Sequence, residues 1–125
     1  MRLLVSAVLL VVALIHALPA IGALGAAKLS ALYGISVAEP NLEILLRHRA
    51  VLFGLLAAFL AWAAFEPELH RLALIAGLVS VGSFMGATAL VGQPNAALRR
   101  VFTVDVAALV LLLAAGIAHL RAARP

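Results

Sequence analysis

"VFTVDVAALVLLLAAG", residues 101–116, is almost wholly apolar, and its one ionisable group is Asp105. A helix of ~20 apolar residues crosses a hydrocarbon core of ~30 Å, so this stretch reads as the body of a transmembrane helix. A carboxylate inside such a helix is costly, which marks Asp105 as a group that needs a partner or a purpose.

The same pattern fills the rest of the chain. Residues 3–27, 50–65 and 72–98 contain no Asp, Glu, Lys or Arg, and residues 101–120 contain only Asp105. Among 125 residues, 66% are hydrophobic and 11% charged, a balance far from that of a water-soluble domain. These runs predict an all-α protein, a single four-helix transmembrane domain over residues 1–125, with helices at about 3–27, 42–65, 69–92 and 97–121. A loop at 28–41 and short turns at "EPE" and "GQPN" complete it. Met1-Arg2, the apolar run and "ALPAIGALGAA" have the outline of a secretory signal, but the run is too long for an ordinary signal core and is read as a span.

The net charge of +4 does not point to nucleic acid, because the basic residues flank the apolar runs and form no basic face. Membrane lipids are the expected partners, with a second copy or another membrane protein also compatible. The expected location is a bacterial inner membrane. Arg2, Arg71, Arg121 and Arg124 on one side against Lys28, Arg47, Arg49, Arg99 and Arg100 on the other do not fix orientation. The chain has no cysteine, which excludes disulfides and thiolate chemistry.

Two helix starts look alike: "EPNLEILLRHRAVLFG" from residue 39 and "QPNAALRRVFTVDVAA" from residue 93. Asn41 and Asn95 are the expected N-caps, since Asn follows a proline that restrains the residue before it. The likeness fits either a duplicated hairpin or convergent capping. At ~1.5 Å per residue, Arg47, Asp105, His16 and Ser83 fall at overlapping depths.

Helical phase then selects faces. Arg47 shares a stripe with Gly54, Ala58 and Ala61, small residues that permit close helix approach, whereas Arg49 lies among large ones. Arg47 is therefore expected inside and Arg49 snorkelling to the headgroups. His16 shares its face with Ala20, Ala23 and Ala27; Ser80 and Ser83 lie beside Gly82-x-x-x-Gly86. The expected buried polar cluster is Arg47 paired with Asp105, with His16, Ser80 and Ser83 nearby and Glu43 competing for Arg47 at i, i+4. Lys28, Arg49, Arg99 and Arg100 are expected to contact headgroups or a small anion. Tyr33 and Trp62 read as interfacial anchors.

Each group also has a plainer role. An Asp–Arg pair can simply fix helix register, a lone histidine can be a hydrogen-bonded packing residue, and serines can bond helix carbonyls. No metal site is expected, since His16 has no second ligand at i+3 or i+4. No cofactor is expected either. The functional expectation is non-enzymatic binding of a lipid or small anion at the Arg/Asp site; the alternatives are an accessory subunit of a membrane complex and a small enzyme acting on a lipid-linked substrate.

The segments "LYGISVAEPNLEILLRHRAVLFGLL" (32–56) and "LRRVFTVDVAALVLLLAAG" (98–116) resemble a group of small bacterial four-helix membrane proteins of unknown function, with "LLRHRAVLFG" the most specific part. The architecture is similar to that of other four-helix bacterial membrane families, including those related to DoxX. Some proteins of the resembled group carry the label phosphopantetheine adenylyltransferase. The soluble enzyme of that name is an α/β nucleotidyltransferase with a histidine-rich nucleotide signature. This chain has no glycine-rich phosphate loop, no such histidine pair and no alternating strand pattern, so its residues do not carry that activity.

Overall fold

The computed structural model describes residues 1–124 and is all-α. Four helices are long and apolar enough to cross a membrane: Arg2–Leu24, Pro40–Ala63, Pro67–Val91 and Ala96–Ala122. The first is composite. It runs as α1 (Arg2–Ala17), tightens into a 3-10 stretch (Leu18–Leu24) with Pro19 in its first turn, and stops at Gly25. Gly25 has φ 146° and ψ 177°, a conformation open essentially to glycine alone. A short helix, α2 (Ala26–Tyr33), follows where a loop was expected from residue 28, and Gly34 at φ 63° closes it as a left-handed cap.

The other spans are α3 (Pro40–Ala63), α4 (His70–Val91) after a 3-10 turn at Pro67–Leu69, and α5 (Ala96–Ala122). Their starts differ from one another despite the shared Pro-Asn. In α5 Asn95 is the cap, its side chain accepting from Leu98 N at 2.8 Å. In α3 the cap is Glu39, whose carboxylate accepts from Asn41 N and Leu42 N, each at 2.9 Å. The expected Asn41 cap is thus displaced by a residue whose longer side chain reaches two orphan amides at once, and Asn41 itself donates its side-chain amide to Glu39.

The core lies along one stripe of each span. Val5, Val8, Leu9 and Val12 of α1 meet Leu60 of α3, Ala73, Leu74 and Val81 of α4, and Ala108, Leu112 and Ala115 of α5. The outer faces are equally apolar, with Leu3 86% and Leu90 90% exposed. Helices apolar all round are what a lipid solvent selects. A second cluster, Leu29, Tyr33 and Val37, seats α2 against Leu46 and Leu98 at the end of the bundle where α3 and α5 begin. Gly77 lets α4 approach α5 closely, since a Cβ there would stand 3.1 Å from a Leu112 methyl carbon.

Candidate functional site

Beneath α2 lies a cavity of about 330 Å³. α1 and α5 bring their buried stripes to it: His16 continues the Val5–Leu9–Val12 face, and Asp105 continues the Ala108–Leu112–Ala115 face. α3 contributes Arg49 and Phe53, α4 contributes Ser80 and Phe84, and α2 closes one wall with Ala31, Leu32 and Tyr33. Arg100, Val101 and Val104 of α5 also line it.

His16 is held at both ring nitrogens. Nδ1 donates to the Val12 carbonyl at 2.8 Å, which leaves Nε2 of the neutral ring as an acceptor for Ser80 Oγ, also at 2.8 Å. This bond ties α1 to α4 from inside, and the ring packs 5.7 Å from that of Phe53.

Arg49 is one of two arginines in the cavity lining. Its Nη1 donates to Tyr33 Oη at 2.6 Å, and its guanidinium carbon stands 4.5 Å from the Phe53 ring centroid, 5.2 Å from that of Tyr33 and 6.0 Å from that of Phe84. Aromatic faces suit a guanidinium because it is planar and weakly hydrated. Asp105 is 9% exposed and sits in the field of Arg49, without an ion-pair contact among the described residues. Asn95 anchors the roof: its side-chain amide donates to the Tyr33 and Gly34 carbonyls at 2.8 and 3.2 Å.

The expected Arg47–Asp105 pair is not formed. Arg47 lies on the outside of α3, bonded through Nη1 to Glu43 at 3.3 Å and through Nε to the Ala23 carbonyl at 3.1 Å. The i, i+4 carboxylate and an orphan carbonyl of the 3-10 stretch capture it before it can turn inward. Arg49 takes the interior position and does not snorkel. Among the other expected residues, His16, Ser80, Asp105 and Arg100 reach the cavity. Ser83 is exposed and donates to the Ser80 carbonyl at 3.0 Å; Arg99 is turned back to the Pro94 carbonyl at 3.1 Å; Lys28 is exposed outside the lining.

Tyr33 is buried, at 5% exposure, and is a wall of the cavity rather than an interfacial anchor. Trp62 is exposed. Tyr33, Phe53 and Phe84 are the site residues that sequence reasoning missed. A signal was present: Leu29 and Tyr33 at i, i+4 followed by Gly34 outline a short one-sided helix with its stop. Among the described residues no group of three or more His, Asp or Glu side chains is placed to hold a metal ion.

The chain matches no family model, no curated protein and no solved structure. What fold and composition support is a helical protein with four candidate membrane spans and, among them, a mostly apolar cavity that carries a few polar side chains.

Proposed function

We propose that the protein is a non-enzymatic membrane protein of a bacterial inner membrane that binds a lipid-like ligand with an anionic head in the Arg49–Asp105 cavity. One observation carries this reading: aromatic and aliphatic side chains line a half-open space of about 330 Å³ whose wall also includes two arginines, Arg49 and Arg100. Arginine forks match phosphate and carboxylate oxygens, and the apolar walls suit an acyl or isoprenoid stem. Asp105 adds carboxylate acceptors for the hydroxyl or amine groups of such a head, and the Ser80 oxygen keeps acceptor capacity beyond its bond to His16. Asp105 also offsets one arginine charge, so that the site without ligand is not left with two uncompensated cations.

Native mass spectrometry of protein incubated with equal phosphatidylglycerol and phosphatidylcholine tests the proposal. The wild type retains phosphatidylglycerol preferentially, and Arg49→Gln with Arg100→Gln removes the preference while the protein remains folded. Equal retention of both lipids by wild type and variant contradicts it.

A further inference from the structure

A second cavity, of about 190 Å³, lies at the opposite end of the bundle, where α1 and α4 begin and α5 ends. Arg2, His70 and His119 line it, and no acidic side chain does. His70 is 1% exposed, and its Nε2 has no hydrogen-bond partner. A buried imidazole nitrogen without a partner is costly, and the fold relieves this nowhere among the described residues. The His119 ring stands edge-on to it at 6.4 Å between centroids. The starts of α1 and α4, neither with a side-chain cap, meet at this end, opposed by the carbonyl end of α5, whose Ala122 and Ala123 also line the cavity.

We infer that this cavity is a second ligand site, separate from the Arg49–Asp105 cavity, and that it takes a phosphate or similar oxyanion. Arg2 supplies a charged fork, and His70 and His119 supply ring nitrogens able to donate. Two imidazoles alone would equally suit a metal cation. The guanidinium of Arg2 and the lack of a carboxylate in the wall favour an anion instead. Since the cavity sits where the spans reach the bilayer surface, the phosphate can belong to a lipid headgroup or to a free anion.

The test uses full-length protein with ¹⁵N-labelled imidazoles in phosphate-free maltoside micelles at fixed pH. Inorganic phosphate is added in one arm and short-chain phosphatidylglycerol in the other. The His70 and His119 resonances are expected to move and saturate in at least one arm. Response to inorganic phosphate identifies a free anion; response to the lipid alone identifies a headgroup. Arg2 is exposed, so Arg2→Gln leaves the packing intact, and it should weaken the response about ten-fold, the size of a lost charge-assisted hydrogen bond. The inference is overturned if neither arm moves these resonances, or if Arg2→Gln leaves the response unchanged.

Discussion

Arg49 donates to the Tyr33 hydroxyl at 2.6 Å, across the gap between the short helix α2 and the long apolar helix α3. This bond does two things. It draws the guanidinium inward over Phe53 and Phe84, and it fixes the lid-like α2 above the cavity in which Asp105 stands.

Tyr33→Phe keeps the aromatic wall and removes only the hydroxyl. A hydrogen bond to a charged group contributes ~1.5–3 kcal/mol, and the part-exposed setting reduces this to about 1 kcal/mol. Thermal unfolding in detergent should show that modest loss, and the lipid preference of the cavity should weaken with it. An unchanged melting temperature would show that the bond does not hold Arg49.

The two arginines of "RHR" should behave in opposite ways. Arg47 pairs with Glu43 on the exposed face of α3, so Arg47→Gln should cost at most ~1 kcal/mol, as for surface ion pairs in general. Arg49→Gln should cost more and should alter the response to anionic lipid. The reverse ranking in paired unfolding curves would restore Arg47 as the interior cation.

Asn95 serves both as N-cap of α5 and as donor to the end of α2. Asn95→Ala should therefore exceed the ordinary loss of a cap, ~1 kcal/mol, and approach ~2 kcal/mol. Asn95→Asp separates the roles, because it keeps the cap and loses the donor; intermediate stability is the expected result.

Glu39 lies outside the spans, and the amides of Asn41 and Leu42 hold its carboxyl below the ordinary value of 4.5. A depressed folded value means that the cap's contribution is complete above that ordinary value and fades as pH falls through the lower one. Glu39→Gln should therefore unfold earlier than the wild type at neutral pH, with the difference closing under acid conditions. A gap that is constant with pH would dismiss the ionised cap.

Gly77 and Gly82 make a contrast on one helix. A Cβ at Gly77 meets Leu112 at 3.1 and 3.2 Å, whereas one at Gly82 meets nothing within 4 Å. Gly77→Leu should destabilise by ~1–3 kcal/mol through overpacking, and Gly82→Leu should be tolerated by the isolated bundle. Comparable losses at both would show that the Gly82 face is packed.

The candidate spans were legible because a bilayer leaves a long apolar run few other choices, and the structure brings His16 and Ser80 together, although Ser83 and Ala87 of the same small-residue stripe are exposed. The arginine assignment did not. That stripe rule placed Gly54, Ala58 and Ala61 inside, yet Ala58 is exposed, while Ala50, Ala57 and Leu60 turn inward and carry Phe53 and Arg49 toward the cavity. The 3-10 stretch and α2 decided this by filling the space beside Arg47. In a segment read as a span followed by a loop, the 3-10 stretch left no periodic cue, since Pro19 and Gly25 act through backbone geometry, and α2 left only the short Leu29–Tyr33–Gly34 signal.

The most direct test places a single indole in the cavity wall, Phe84→Trp in a Trp62→Phe background, and quenches it with bromine-labelled acyl chains. Brominated phosphatidylglycerol should quench at a lower mole fraction than brominated phosphatidylcholine, and Arg49→Gln with Arg100→Gln should erase the difference. Identical quenching by the two lipids in the unsubstituted site would contradict an anion-selective cavity.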